Sequence, residues 1–262
     1  MAQVVVYKLG EMTQPPKSSR PGRLLGVFHE IEKLKHEPVS AGQLDPKAVL
    51  LRSWQTNRLA HTYADLLDSS RYRPACLFFL EDIYAARDFS QRDHDMEQMH
   101  DFMQHFIPET MLHPLSVTVE LHRLTNELDN RLLDALVNRL GVTDTITPEL
   151  YAEGYRVCDN YAERVQQIDL IHEIGRRLDG IVRSPLTGAM LNVAKGPARR
   201  AGWTELTDFL ERGYKAFKHM RGSKYFVETV RKREMRILDR IFAKHPDPFG
   251  PESGDHPGSP SD

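Results

Sequence analysis

Apolar residues recur every three or four positions along most of the chain, from about residue 23 to residue 244. This spacing puts them on one face of an α-helix, so the pattern predicts a succession of amphipathic helices. A strand-like apolar run occurs once, in the segment VVVYKL near the N-terminus. The pattern therefore predicts an all-α fold, a single-domain bundle of several helices.

Proline, glycine and capping residues place the helix ends. They predict helices over about 23–36, 46–68, 74–83, 90–107, 114–140, 148–183, 187–194, 203–220 and 223–244. Residues 1–22 include QPPKSSRPG and are predicted to form a flexible N-terminal segment. Residues 245–262 are rich in Pro, Gly, Ser and Asp and are predicted to form a disordered tail. The helical bundle domain is thus predicted to span residues 23–244.

The overall composition limits the classes of function. The 262 residues are 40% hydrophobic and 27% charged with a formal net charge of −2, which is ordinary for a globular protein and supplies no global positive field for nucleic acid. Cys76 and Cys158 suggest no disulfide framework and indicate a reducing compartment. The N-terminus does not resemble a signal peptide, and no long uncharged apolar stretch occurs. We expect a cytoplasmic protein with no membrane partner.

A dense charged patch follows an aromatic run in FFLEDIYAARDFSQRDHD, residues 78–95. Ser90 and Asp93 have the spacing of a capping box, which predicts that the patch ends one helix and starts the next. Arg52 and Arg92 fall on the apolar sides of their helices, and an inward arginine needs an anionic partner or access to water. The patch therefore predicts a polar cluster that locks the helix break or forms a ligand or partner site. Its members are Arg52, Tyr63, Asp82, Tyr84, Asp88, Arg92 and Asp93.

A carboxylate three residues before a histidine occurs on two of the predicted helices, in EQMH and DLIH. Residues at this spacing are neighbours on a helix, and di-iron helical bundles use such pairs together with further glutamates. On a helical wheel the histidines flank the apolar stripes while the acids point to the polar edge, which favours ordinary boundary residues over a metal site. The metal hypothesis involves Glu97, His100, Glu120, Asp169 and His172.

Charge is unevenly distributed along the chain. Residues 81–109 contain eight acidic and two basic residues, whereas residues 195–244 contain fourteen basic and six acidic residues. The basic part could bind phosphate-rich ligands or nucleic acid, and the acidic part could bind a basic partner. A third interpretation is favoured over these two binding roles, because the total charge of the chain nearly cancels. In it, the acidic and basic segments form solvated faces or pack against each other.

The stretch RYRPACLFFLEDIYAARDFSQRD resembles the signature of a family of uncharacterised bacterial helical proteins. The resemblance implies an all-helical bacterial protein over about residues 47–243 and brings no activity with it. Where the family pattern has a glycine after the tyrosine, this chain has Ala85. The residues that carry the resemblance are Tyr72, Phe78, Phe79, Asp82, Tyr84, Asp88, Phe89, Arg92 and Asp93.

No complete catalytic motif is present: there is no phosphate-binding glycine loop, no nucleophile elbow and no C-x-x-C. The leading hypothesis is a non-catalytic module for protein interaction or regulation, with a protein partner or a homo-oligomer. A metal- or cofactor-binding bundle enzyme is the alternative, although no particular cofactor is indicated. Nucleic-acid binding through residues 195–244 is a weaker alternative.

Overall fold

The computed structural model of the chain describes residues 45–85, 90–104, 109–200 and 202–251. Within these ranges it contains ten α-helices and no strand, which confirms the predicted all-α fold, and none of the helices has the length and apolarity needed to cross a bilayer. The predicted helix at 23–36 lies outside the described residues. The helices are α1 (Pro46–Thr62), α2 (Ala64–Asp68), α3 (Arg73–Phe78), α4 (Ser90–Gln104), α5 (Glu109–Asp134), α6 (Pro148–Cys158), α7 (Tyr161–Arg183), α8 (Pro185–Arg200), α9 (Thr204–Met220) and α10 (Lys224–Phe242).

Capping side chains start two helices, α1 and α6, where the sequence predicts a start. The Asp45 carboxylate accepts a hydrogen bond from the Lys47 N–H at 2.9 Å, and the Thr147 hydroxyl accepts one from the Leu150 N–H at 3.2 Å. A proline follows each cap, at the first helical position, where its missing N–H has no intrahelical partner to lose. These local signals therefore fix the N-terminal ends of α1 and α6.

Two predicted helices are each divided in the structure. The segment predicted at 46–68 breaks at Tyr63, where α1 ends and α2 begins. The segment predicted at 148–183 breaks after Cys158, where Asp159 takes a left-handed conformation with φ 48°. Asp and Asn adopt this conformation at less cost than most residues. By contrast, α8 is not divided and extends beyond the helix predicted at 187–194, from Pro185 to Arg200.

The C-terminal ends of α3 and α5 widen into π-helical turns, at Phe79–Ile83 and at Ala135–Arg139. In the first of them the Tyr84 N–H bonds to the Phe79 carbonyl, five residues back, at 3.0 Å. Such turns are rare and are found frequently at functional sites. The first of them lies in the charged patch that the sequence singles out.

Helices α7 and α10 run antiparallel and form the most extensive pair in the bundle. Ion pairs and hydrogen bonds join residues 161 and 239, 169 and 231, and 172 and 228 along their length. Helix α5 packs against another side of α7. The largest apolar cluster fills the space between α1, α2, α3, α7, α9 and α10.

A second apolar cluster joins the start of α1 to the end of α5 and to α6. Residues 245–251, within the predicted tail, contribute to it through Phe249. The Trp54 ring stacks on Tyr151 at 3.9 Å between centroids and meets Phe249 edge-on at 5.6 Å. The Arg240 guanidinium also donates to the Gly250 carbonyl at 2.7 Å. This part of the tail is therefore anchored to the bundle.

Candidate functional site

The predicted polar cluster divides into two groups in the structure. Asp82, Arg92 and Asp93 lie together where the π-helical turn meets α4 and α9, whereas Tyr63 and Tyr84 contribute to a second group deeper in the bundle. Arg52 acts electrostatically on that second group. Asp88 lies outside the described residues.

In the first group, Arg92 joins the π-helical turn to the start of α4. It is 8% exposed, and its Nη1 donates to the backbone carbonyl of Asp82. Its Nε donates to the Asp93 carboxylate at 2.8 Å, and its guanidinium lies 4.7 Å from the centroid of the Phe209 ring on α9. Because a buried guanidinium needs hydrogen-bond acceptors, these contacts hold three elements in one arrangement.

The Asp82 carboxylate completes this junction. It is 4% exposed and accepts hydrogen bonds from Arg212 Nε at 2.9 and 3.1 Å and from Arg212 Nη2 at 2.7 Å. These hydrogen bonds raise the pKa of Arg212. On the other side, Asp93 lies 3.6 Å from His122 of α5. The first group is thus an ion-paired junction between the π-helical turn, α4, α5 and α9.

The second group is built around Glu234, on the inner face of α10. Its Oε1 accepts a hydrogen bond from Arg58 Nη1 at 2.5 Å and one from the Tyr63 hydroxyl at 2.7 Å. Burial alone would lower the pKa of Arg58, and the Glu234 charge reverses this and raises it. Burial and the same carboxylate raise the pKa of Tyr63. The Arg58–Glu234 ion pair links α10 to α1.

The buried network continues through Asp129 of α5. Its Oδ1 accepts a hydrogen bond from the Gln55 amide at 3.1 Å and lies 3.8 Å from Arg164 Nη1. Burial raises the pKa of Asp129, although Arg164, Gln55 and Arg52 act in the opposite direction. Asp129 thus connects α5 to α1 through Gln55 and to α7 through Arg164.

Arg164 is the most deeply buried cation of the network, with 3% exposure. It donates to the Gln167 side chain at 3.0 Å and to the Leu128 carbonyl at 3.1 Å, and its guanidinium lies 4.4 Å from the centroid of the Tyr155 ring. These contacts tie α7 to α5 and α6. We name the residues of this second group the buried polar core: Arg52, Gln55, Arg58, Tyr63, Tyr84, Asp129, Tyr151, Tyr155, Arg164 and Glu234.

Three tyrosines of the buried polar core, Tyr63, Tyr84 and Tyr151, have raised pKa values and stay protonated at neutral pH. Burial, followed by the charges of Glu234 and Asp129, raises the pKa of Tyr84, and burial raises the pKa of Tyr151 well above its ordinary value. The Tyr151 and Tyr155 hydroxyls lie 3.1 Å apart. A general acid or base works best with a pKa near the working pH. The raised pKa values do not suit proton transfer at neutral pH, and the Tyr63 hydroxyl instead donates a hydrogen bond to Glu234 of α10.

An ion pair between Arg233 and Asp65 lies beside Tyr63 of the buried polar core. Arg233 Nη1 and Nη2 donate to the two carboxylate oxygens of Asp65 at 2.6 and 2.9 Å, and Nη1 also donates to the Thr62 carbonyl at 2.9 Å. The Arg233 hydrogen bond lowers the pKa of Asp65. The pair holds α2 against α10.

The Asp65 pair makes stability depend on pH. A carboxylate with a lowered pKa in the folded state stabilises the fold above its unfolded pKa of about 3.9, and this stabilisation disappears as the pH falls through the folded pKa. We expect the protein to be more stable than its Asp65→Asn variant at pH 7, with the difference shrinking as the pH falls below about 4. Urea unfolding at several pH values measures it. Asp144→Asn, at an exposed loop position, is the control, and an equal pH trend in both variants would contradict the assignment.

The five residues of the metal hypothesis are directed to separate partners. Among the residues that the structure describes, no group of three or more His, Cys, Asp or Glu side chains is placed to hold a metal ion. The contacts are Glu97 with Arg123 at 3.3 Å, His100 with Ser116 at 3.0 Å, Glu120 with Gln166 at 3.1 Å, Asp169 with Arg231 at 2.9 Å and His172 with Glu228 at 3.0 Å.

The face of α10 that lies beside α7 lines an open groove of about 400 Å³. Successive lining residues are three positions or one position apart, so they form one stripe along the helix. Four are cations, two are acids and Met235 lies at the centre. We name this the α10 stripe: Glu228, Arg231, Lys232, Met235, Arg236, Asp239 and Arg240.

A second open pocket of about 290 Å³ lies at the turn between α9 and α10. The C-terminal ends of α7 and α9 meet there, beside the two turn residues Arg221 and Gly222. Both turn residues have positive φ, at 55° and 144°. We name this the turn pocket: Asp179, Val182, Arg183, Phe217, Lys218, Arg221 and Gly222.

A protein-family model described as "Domain of unknown function (DUF8198)" matches residues 35–248. No curated protein and no solved structure matches the chain. The family match spans all ten helices and assigns no activity to the domain.

Proposed function

The chain belongs to the DUF8198 family of domains of unknown function, and from this premise we propose that it is a non-catalytic interaction module. Its partner is a protein with an acidic segment, which binds along the α10 stripe. The observation that carries the proposal is the open groove of about 400 Å³ along a single helix face rich in cations. We place the module in a bacterial cytoplasm, to which the two free cysteines are suited.

The interior of the bundle supports a structural role for the groups that otherwise suggest chemistry. The Asp82–Arg212 and Arg58–Glu234 pairs connect helices that are distant in sequence. The raised pKa values of Tyr63 and Tyr84 lie far from the range useful for proton transfer at neutral pH. This leaves the surface of the bundle as the place where a partner is recognised.

The dimensions of the α10 stripe fit a peptide segment. It spans thirteen residues of helix, from Glu228 to Arg240, and the rise between the first and the last is about 18 Å at 1.5 Å per residue. An extended partner strand covers that length with about five residues, and a partner helix with about three turns. Met235 offers an apolar contact at the centre, which is typical of protein interfaces.

The two acids in the stripe favour a protein over nucleic acid. Glu228 lies at one end of the stripe and Asp239 near the other, and a phosphate backbone with its evenly spaced negative charge would meet both of them unfavourably. A protein partner can instead place a lysine or arginine opposite each acid. Mixed charge of this kind gives specificity and register more than raw affinity.

Charge reversal on the stripe tests the proposal. The variant Arg231→Glu/Lys232→Glu is compared with the wild type and with Lys215→Glu, a reversal on α9 at a side chain that is 70% exposed. We expect wild type and Lys215→Glu to retain the same protein from a native lysate, and the stripe variant to retain about tenfold less, equivalent to a loss of about 1.4 kcal/mol. Urea unfolding checks that all three are folded.

Three outcomes would count against the proposal. Equal retention by the stripe variant and the control would show that the partner binds elsewhere. Turnover of a small molecule that persists without the partner would show an enzyme. Retention of nucleic acid in place of protein, with affinity that falls steeply with salt concentration, would support the nucleic-acid alternative.

A further inference from the structure

We propose that the turn pocket binds the phosphate group of a small phosphate monoester. The site is distinct from the α10 stripe, and the proposal stands whether or not a protein binds there. It rests on the convergence of cations around Gly222, on the scarcity of acids and on the open volume beside them.

Two guanidinium groups flank the space that Gly222 leaves. A Cβ built on Gly222 would lie 3.3 Å from Arg183 Nη2 and 3.6 Å from Arg71 Nη2. The φ of 144° at this residue is open to glycine and is strained for other residues. The absence of a side chain thus lets two guanidinium groups approach the same stretch of backbone, one from the loop before α3 and one from the end of α7.

Two more cations belong to the same surface. Lys218 and Arg221 line the pocket together with Arg183, and Arg71 is a fourth cation that lies beside the pocket at Gly222. Arg71 is held in place by a hydrogen bond from its Nε to the Met220 carbonyl at 2.8 Å. Within the described residues, no hydrogen bond or ion pair engages the Arg221 side chain.

Asp179 is the single acid among the described residues that line the pocket, and it already has two partners. Asp179 accepts a hydrogen bond from the Ser223 N–H at 3.1 Å and pairs with Arg183 at 2.9 Å. One carboxylate cannot neutralise four cations. The pocket therefore carries excess positive charge, which an added anion would neutralise.

Helix ends explain only part of this charge. Arg183 and Lys218 lie in the last turns of α7 and α9, where the helix dipole favours cations. Arg71 precedes α3, and Arg221 occupies the left-handed position after α9 that more often holds glycine or asparagine. The helix dipoles therefore do not account for the presence of Arg71 and Arg221.

A phosphate monoester matches the pocket better than a carboxylate does. It carries about two negative charges at neutral pH and three acceptor oxygens, which suits guanidinium groups converging from two sides. A volume of about 290 Å³ exceeds what a bare phosphate needs. Val182 and Phe217 supply an apolar wall for the organic part of the ligand.

Titration calorimetry with adenosine monophosphate, adenosine and inorganic phosphate tests the proposal on the full chain. We expect adenosine monophosphate to bind at least about tenfold more tightly than adenosine. Arg221→Gln and Arg183→Gln should each weaken it by about tenfold or more, as expected for loss of a charged hydrogen bond. Lys215→Gln, on the same α9 helix but outside the pocket, should bind as the wild type does.

The Arg221→Gln variant should fold normally, because it removes no hydrogen bond or ion pair between described residues. The proposal is overturned if adenosine monophosphate shows no binding at millimolar concentration, if adenosine binds equally well, or if both variants bind as the wild type does. Binding of duplex DNA that the two variants abolish, without binding of the monophosphate, would also overturn it.

Discussion

Replacing Glu234 with alanine is expected to lower the free energy of unfolding by about 3–5 kcal/mol. The substitution leaves the Arg58 guanidinium, 12% exposed, without its anion and leaves the Tyr63 hydroxyl without its acceptor at 2.7 Å. An unpaired buried charge is costly because the protein interior replaces little of its lost hydration. Urea unfolding followed by circular dichroism measures the change.

A control on the same helix isolates the effect of burial. Glu228 pairs with His172 at 3.0 Å but is 50% exposed, so Glu228→Ala should change the free energy of unfolding by less than about 1 kcal/mol. Replacing both buried partners, as Arg58→Met/Glu234→Leu, should recover most of the stability lost in Glu234→Ala. Equal effects of the two glutamate substitutions would contradict the interior position of Glu234.

Replacing Gly175 with alanine is expected to cost about 1–3 kcal/mol through steric conflict in the α7–α10 interface. A Cβ at this position would lie 2.4 Å from Cγ1 of Val227, well inside van der Waals contact. The two helices would have to separate or Val227 would have to leave its preferred rotamer. Thermal and urea unfolding both report the loss.

Two companion variants make the Gly175 result specific. Gly180→Ala lies in the same helix with open space around the added methyl group, and it should stabilise the protein by about 0.5–1 kcal/mol because glycine weakens a helix interior. Val227→Ala combined with Gly175→Ala should recover part of the loss, since it removes the conflicting methyl groups. A stabilising effect of Gly175→Ala alone would show that the helices are not in close contact there.

Local features of the sequence predict the fold class and most helix starts. Asp45–Pro46 and Thr147–Pro148 are short-range signals, and the structure uses both as helix N-termini. The breaks at Tyr63 and Asp159 are harder to predict, because the apolar periodicity continues across them. At Asp159 the pair Asp159–Asn160 was an available signal, since both residues favour helix ends over helix interiors.

The buried polar core was only partly predictable. Arg52, Tyr63 and Tyr84 were singled out from the sequence, whereas Arg58, Asp129, Arg164 and Glu234 were not. On the helical wheel, Glu234 lies about 40° from Val230 and about 20° from Val227. The sequence therefore predicts that Glu234 lies on the apolar face of its helix. Its partner was not, because Arg58 is 176 positions away in the chain.

The π-helical turn at Phe79–Ile83 determines the directions in which the neighbouring side chains point around the helix axis. Because the Tyr84 N–H bonds five residues back, the turn holds one residue more than a regular α-helical turn would. Removing a single residue from this turn would restore ordinary winding and swing the following side chains by about 100° about the helix axis. Asp82 would then no longer point at Arg212, so natural variation in this segment should tolerate exchanges of residue type far better than changes of length.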